Sequence, residues 1–119
     1  MIKVERLSAN ALRVAASERL TLSDFRLLAP PIDAMVDRNR KLRLLVDLSE
    51  FEGWENLKAF ELHSGFVKTH QMYVERLAVI ASPEWPAWLI ETGRMFLHRD
   101  AKAFNRAQEA EAMRWVAEP

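Results

Sequence analysis

The chain has 119 residues, of which 50% are hydrophobic and 29% charged, a composition typical of a soluble globular protein. Its 17 basic and 17 acidic residues balance, which argues against an overall basic field for binding a nucleic-acid backbone. The absence of cysteine excludes disulfides, thiolate metal sites and cysteine nucleophiles.

The amino-terminal segment predicts a β-hairpin. Apolar and charged residues alternate over residues 2–7 and apolar residues recur at every second position over 12–16, on either side of a polar turn at 8–10. This alternation lacks the unbroken apolar core of a secretory signal, and no apolar run in the chain approaches the ~20 residues that cross a bilayer. We therefore expect a cytoplasmic protein without a membrane span.

A capping box predicts the start of the first helix. Thr21 and Asp24 have the spacing at which a hydroxyl and a carboxylate each bond an unpaired backbone amide. Pro30 and Pro31 fall inside the apolar pattern that follows and remove amide donors, so we expect a kink or a split near Ala29. The helix is expected to end around residues 38–40. Its predicted inward stripe is Phe25, Leu28, Ile32, Met35 and Val36.

Residues 42–48 form a short apolar run that predicts a buried central strand. A turn is expected at 50–53, followed by a helix from about residue 54 to residue 71. A strand, a turn and a helix in this order make half of a βαβ unit. One apolar face of the predicted helix is formed by Leu57, Phe60, Ser64 and Val67.

The remaining elements continue the alternation of strands and helices. Residues 76–82 predict a second buried parallel strand, 86–94 a helix, and 101–104 a short edge strand. Asn105 is a suitable cap for a last helix. The residues of that helix available to pack on the sheet are Ala107, Ala110, Met113, Trp115 and Val116. No linker interrupts the pattern, so we expect a single domain over residues 1–119.

Four stretches carry a family resemblance and together cover nearly the whole chain. They are residues 20–21, residues 44–54 with Leu-Leu-Val-Asp-Leu and Phe-Glu-Gly-Trp, residues 76–80 and residues 112–116. In this order they resemble the STAS-like fold of sulfate-transporter carboxy-terminal domains and anti-sigma-factor antagonists, and more closely its SpoIIAA-like branch of small bacterial proteins. The resemblance implies a single-domain α/β fold with a mixed sheet of four or five strands and helices packed mainly on one face.

The resemblance also bears on function. In the antagonist branch a phosphorylatable serine lies at the start of the helix after the central strand. The corresponding residues 54–57 of this chain are Trp-Glu-Asn-Leu, so a phosphorylation switch of that type is not expected here. The SpoIIAA-like fold is often grouped with CRAL-TRIO lipid-binding domains, which implies a lipid-like ligand as an alternative to a protein partner.

The sequence offers few signs of catalysis. Its three glycines do not have the spacing of a phosphate-binding loop. His63 and His70 are seven residues apart, which on a helix separates them by about 10 Å along the axis, too far for one metal ion. Ser49 and Ser82 have no histidine near them in the sequence and no Gly-x-Ser-x-Gly motif. We expect neither an enzyme nor a bound metal or cofactor.

A candidate site follows from the expected topology. In open α/β sheets ligands bind beyond the carboxyl ends of the strands, where helix amino termini also point. The polar residues expected there are Asp47, Ser49, Glu52 and Ser82, and the aromatic residues are Phe51, Trp54, Trp85 and Trp88. In the alternative interpretation, Asp47 and Ser49 stabilise a turn and the tryptophans complete the core.

Two functional hypotheses remain. The first is a non-catalytic regulatory or interaction module that binds a partner protein or itself, as a homodimer, through the edge at residues 51–54 and the adjoining helix. The second is a carrier or sensor of a small apolar, lipid-like ligand in a pocket between the sheet and the helices.

Overall fold

The computed structural model describes residues 1–37, 41–81 and 101–118, which form five strands and three helices. The elements are β1 (Ile2–Ser8), β2 (Ala11–Leu20), α1 (Leu22–Asp37), β3 (Leu42–Trp54), α2 (Leu57–His70), β4 (Val74–Ile80), β5 (Ala101–Phe104) and α3 (Glu109–Ala117). Short 3-10 turns at Gln71–Tyr73 and Arg106–Gln108 follow α2 and precede α3.

The five strands form one mixed sheet in the order β1-β2-β3-β4-β5. β1 is antiparallel to β2, and β2 to β5 are parallel to one another. The predicted hairpin, the parallel strand after the second helix and the short edge strand are confirmed. Because the sheet grows in one direction, right-handed crossovers place α1 and α2 on the same face.

In the part of the chain that the structure describes, helices cover both faces of this sheet: α1 and α2 lie on one face and α3 on the other. Leu44 and Leu45 are adjacent in β3 and therefore point to opposite faces. On the α1 side the buried cluster contains Ile2, Leu12, Val14, Ala16, Leu20, Leu28, Ile32, Met35 and Leu42. On the α3 side it contains Ala11, Leu45, Ala78, Ile80, Phe104, Ala112 and Val116. The expected mixed α/β fold is confirmed.

The predicted capping box starts α1. The Asp24 amide donates to Thr21 Oγ1 at 3.1 Å, and the Thr21 amide donates to Asp24 Oδ2 at 2.9 Å. The helix then continues through Pro30 and Pro31. Of the kink or split expected near Ala29, the split is therefore wrong, and the kink stays a prediction. These prolines remove the donors for the carbonyls of Arg26 and Leu27, both exposed residues at which water can replace the lost amides. Packing of Leu28, Ile32 and Met35 on the sheet therefore holds one continuous helix. The side chain of Val36 lies outside the described residues.

β3 is longer than predicted, and the expected turn at residues 50–53 is wrong. The strand continues to Trp54, which pairs with Leu20 of β2. The pairing shifts register twice, between Ala15 and Ser17 and between Glu18 and Arg19, because β3 carries an extra residue at each point. Gly53 has a positive φ of 110° at the second shift. The polar residues and the glycine that suggested a turn thus form a bulged strand.

α2 begins at Leu57, three residues later than predicted. Asn56 caps it by accepting a 2.9 Å hydrogen bond from the Ala59 amide. The Glu55 amide donates to the Leu20 carbonyl at 2.8 Å, which ties the start of the helix to β2. The cap and this tie orient the helix so that Ala59 and His63 are buried.

The described residues of the apolar face predicted for this helix do not lie in the core. Leu57 and Phe60 are exposed, and Ser64 is half-buried. The side chain of Val67 lies outside the described residues. His63 Nε2 lies 3.1 Å from the Thr21 carbonyl oxygen, and the His63 ring meets the Phe25 ring edge-on at 5.7 Å. A polar contact and an aromatic contact thus join α2 to α1.

The predicted Asn105 cap is confirmed, and its capping box starts the turn before α3. Asn105 Oδ1 accepts from the Gln108 amide and Gln108 Oε1 accepts from the Asn105 amide, both at 3.1 Å. The predicted packing of Val116 is confirmed, but Ala107 and Ala110 are exposed and Ala112 is buried in their place. The predicted helix at 86–94 and the end of the strand predicted to reach residue 82 lie outside the described residues.

Two arginines of the sheet bind the carboxyl end of α3. Buried Arg43 donates to the Val116 carbonyl at 3.1 Å and to the Glu118 carbonyl. Arg76 donates to the Trp115 carbonyl at 2.8 Å. Helix carbonyls that have no partner within the helix are thereby paired with cations. β3 and β4 thus hold the end of α3 in place.

Candidate functional site

The structure divides the predicted site residues between the two faces of the sheet. Asp47 and Ser49 contact each other on the α3 side, whereas Phe51 packs against the cluster on the α1 side and contacts Trp54. Glu52 is exposed in the bulged part of β3. The predicted members Ser82, Trp85 and Trp88 lie outside the described residues.

A set of ion pairs and hydrogen bonds, here called the arginine network, surrounds Asp47. Arg13 Nη2 lies 2.8 Å from Asp47 Oδ2 and 2.7 Å from Glu109 Oε1, and Arg13 Nε donates to Glu109 at 3.0 Å. The side chains of Arg13 and Asp47 are only 20% and 17% exposed. Charges removed from water in this way must be paired, so one guanidinium stabilises two carboxylates.

Ser49 extends the arginine network toward solvent. Its hydroxyl donates to Asp47 Oδ1 at 2.6 Å and accepts from Arg106 Nη2 at 3.3 Å. The same Arg106 nitrogen also donates to Glu50 Oε1 at 2.9 Å. Six side chains from β2, β3, the 3-10 turn before α3 and α3 itself therefore pair with one another: Arg13, Asp47, Ser49, Glu50, Arg106 and Glu109.

This geometry favours a structural role for the arginine network. A serine nucleophile needs a base that accepts its proton and a group that orients the base. Here both Asp47 oxygens accept hydrogen bonds, from Ser49 and from Arg13. The histidine whose side chain is described, His63, lies on the opposite face against α1. The network thus gives Asp47 and Ser49 a local structural role, but within strand β3 and not in the turn that the alternative interpretation expected.

An exposed group of apolar side chains, here called the aromatic patch, lies where β3 meets α2. It consists of Trp54, Leu57 and Phe60, which are 37%, 70% and 42% exposed. The Trp54 ring meets the Phe51 ring edge-on at 5.0 Å and the Phe60 ring edge-on at 4.8 Å. Phe51 in turn packs against the core. The tryptophan is thus held between two rings while part of it faces solvent.

A cleft of about 450 Å³ lies between β1 and α1. Its volume falls within the range of about 300–1,000 Å³ that small-molecule sites occupy. Arg6 is the single charged residue among those lining it. The apolar lining is Ile2, Val4, Leu12, Leu27, Pro31, Ala34 and Met35.

Several residues of these sites were not predicted from the sequence. Arg13 occupies an inner position of a half-buried strand, and such a cation indicates a carboxylate partner, but the sequence does not identify Glu109 as that partner. Leu57 and Phe60 were assigned to an apolar helix face without any signal that this face is exposed. The cleft depends on the distance between α1 and the edge strand, which no sequence pattern reports.

In residues 1–37, 41–81 and 101–118, no three side chains of the kinds that bind metals come together. Within the same ranges, every helix is too short or too polar to cross a membrane.

Comparisons with known proteins identify a family and a fold. A family model described as SpoIIAA-like matches residues 11–117. Among solved structures, an uncharacterised protein from Shewanella loihica PV-4 with a SpoIIAA-like fold is similar, with a TM-score of 0.80 and 22% sequence identity. The similarity covers 98% of this chain and 93% of that chain. Comparison with curated proteins gave no match. The expected STAS-like fold is confirmed.

Proposed function

Because this chain belongs to the SpoIIAA-like family, we propose that it is a non-catalytic STAS-type regulatory module of the cytoplasm that binds a protein through the aromatic patch. The bound protein is a separate partner or a second copy of the chain. The observation that carries the proposal is the partly exposed Trp54, held between Phe51 and Phe60.

The aromatic patch has the properties of a binding anchor. Tryptophan is enriched among the residues that contribute most to protein interfaces, because it buries a large area with few rotatable bonds. Trp54 is already held by two edge-on ring contacts, so little side-chain freedom is lost when a partner covers it. Leu57 and Phe60 from the first turn of α2 enlarge the apolar surface beside it.

The position of the aromatic patch separates its binding from the phosphorylation switch of the antagonist branch. It occupies the start of α2, where the antagonist branch of the fold carries its phosphorylatable serine. Here Asn56 fills the capping position, and residues 54–57 contain no hydroxyl. Binding through this surface is therefore independent of phosphorylation at these four positions.

Capture of partners on immobilised protein tests the proposal. The variants are Trp54→Ala and, as a matched control, Met72→Ala, which removes another exposed apolar side chain after the far end of α2. A protein captured by the wild type and by Met72→Ala should be lost with Trp54→Ala, and its purified form should bind about 30-fold more weakly to that variant. Self-association is measured on the same proteins by sedimentation. Capture and sedimentation that are equal for all three proteins would contradict the proposal.

The cleft supports a second candidate function, a carrier or sensor of a small apolar ligand. Ile2, Leu12 and Met35 are buried beneath it, and exposed Leu27 lies at its rim. Apolar cavities of this size bind ligands by removing apolar surface from water. Arg6 adds one cation suited to a polar or anionic end of such a ligand.

Native mass spectrometry separates the two functions. A carrier retains an added small mass that disappears in Ala34→Trp, which fills the cleft, and persists in the control Ala110→Trp on the exposed side of α3. An interaction module shows the mass of the bare chain or of its assemblies. An added mass that survives Ala34→Trp would mean that the cleft is not the ligand site.

A further inference from the structure

The aromatic patch lies within an acidic stretch of the described surface. Residues 50–61 contain four glutamates and one lysine, whereas the whole chain is neutral. All five of these charged residues are exposed: Glu50, Glu52, Glu55, Lys58 and Glu61. They alternate with or flank the three apolar side chains of the patch. A partner that covers this apolar surface therefore meets carboxylates around it.

Most of these carboxylates are available to a partner. Glu50 already pairs with Arg106 at 2.9 Å. Among the described residues, the side chains of Glu52, Glu55 and Glu61 form no salt bridge, and they are referred to here as the acidic rim. The neighbouring end of β2 adds one acid and one base, Glu18 and Arg19, which leaves the balance unchanged. The local charge available for recognition is negative.

From this charge pattern, and resting on the proposed function, we infer that the partner is a protein segment whose apolar side chains are flanked by lysines or arginines. Complementary charges around an apolar centre speed association and select the partner. The apolar side chains of the segment cover Trp54 and Leu57, and its cations face the acidic rim.

The same charges disfavour two other occupants. In a two-fold symmetric dimer the same surface of each copy faces the other, so the acidic rims would meet and repel. An anionic membrane surface would also be repelled by these glutamates. A basic segment of a different protein satisfies both the apolar and the charged parts of the surface.

Two synthetic amphipathic peptides of equal length test the inference. Both carry the same tryptophan and leucine positions, but the polar face of one is lysine and that of the other is glutamate. Each is titrated by calorimetry into the full chain, Trp54→Ala, and a triple variant with Glu52→Gln, Glu55→Gln and Glu61→Gln. Titrations at about 50 mM and about 300 mM salt separate charge attraction from apolar contact. Sedimentation of each protein without peptide reports self-association.

The lysine peptide should bind the wild type about 10-fold or more tightly than the glutamate peptide, and this preference should shrink with added salt. The triple variant should lose the preference with unchanged thermal stability, because its substituted side chains are exposed. Trp54→Ala should lower the affinity for the lysine peptide about 30-fold, as expected when a binding anchor is removed.

Each other result has a defined meaning. Equal affinity for the two peptides, or no binding of either, overturns the inferred charge of the partner and leaves the proposed function to the capture experiment. A dimer of the wild type that Trp54→Ala abolishes also overturns the inference, while supporting self-association through the patch. If Trp54→Ala binds the lysine peptide as tightly as the wild type does, the aromatic patch is not the binding site. That result would overturn the proposed function as well.

Discussion

Arg13 of β2 and Asp47 of β3 form a 2.8 Å ion pair in a largely buried position of the sheet. The same guanidinium binds Glu109 in the first turn of α3, which is 96 residues away in sequence from Arg13. Glu109 also lies at the amino end of its helix, where the helix dipole favours a negative charge. Through its two ion pairs, Arg13 therefore links the centre of the sheet to α3, the helix that covers it.

Arg13→Met should destabilise the protein by about 1–3 kcal/mol, because it leaves Asp47 and Glu109 without their partner in a partly desolvated site. Arg106→Met is the matched control, since Arg106 and Glu50 are 64% and 67% exposed and such surface pairs contribute at most about 1 kcal/mol. Urea denaturation measures both. Equal losses of unfolding free energy in the two variants would show that the buried ion pair stabilises the fold no more than the exposed pair does.

Asp24→Asn should lower stability near neutral pH. Burial of Asp24 raises its pKa. The bonds from the Thr21 amide and hydroxyl and the charge of the Met1 amino group together lower the pKa by more than burial raises it, so the pKa lies below the ordinary 3.8. The ionised carboxylate therefore stabilises the folded state above about pH 4, and this contribution is lost as the pH falls through the lowered pKa.

The free energy of unfolding of the wild type and of Asp24→Asn should accordingly differ by about 0.5–2 kcal/mol at pH 7, the usual cost of losing a helix cap. The two curves should converge as the pH is lowered below 4. Curves that stay parallel down to pH 2 would show that the charge of Asp24 is not what stabilises the start of α1.

Gly53→Ala and Gly65→Ala should change stability in opposite directions. An added Cβ meets no atom within 4 Å at either position. Gly53, however, has a φ of 110°, which an alanine adopts only with strain of about 1–3 kcal/mol. Gly65 is an exposed residue inside α2, where alanine is better by about 0.5–1 kcal/mol. A calorimetric Tm series measures both, and a stabilising Gly53→Ala would contradict the bulged conformation.

Trp54→Ala should cost less stability than a core truncation. Leu45 is completely buried between the sheet and α3, so Leu45→Ala should cost about 2–5 kcal/mol. Only part of the Trp54 side chain is buried, so we expect its truncation to lower the free energy of unfolding by about 1–2 kcal/mol. Equal losses by chemical denaturation would place Trp54 in the core and weaken its role as a binding anchor.

The sequence predicted the elements whose signals are local. The alternation before Ser8 and the run from Leu42 identified the first strands and their burial, and the spacing of Thr21 and Asp24 identified the start of α1. These patterns depend on residues within one or two turns of each other. The family resemblance then supplied the arrangement of the strands, which local patterns do not contain.

The errors arose where distant residues decide the structure. Glycine and polar residues after Leu48 are typical of a turn, but pairing with β2 converts them into a bulged strand. The rotation of α2 is set by the Leu20 carbonyl and by contact with Phe25, neither of which is near the helix in sequence. For the same reason the separation of Asp47 from Trp54 on opposite faces could not be predicted.

The described strands lie side by side in the sheet in the same order in which they occur in the chain. A nascent chain that emerges at about 5–20 residues per second can therefore add each new strand to a sheet edge that already exists. β5 and α3 come last, and α3 covers Leu45 and Ala78 on its face of the sheet. Until that final segment docks, Leu45 and Ala78 lack the cover of α3 and expose apolar surface that chaperones can bind and that favours aggregation.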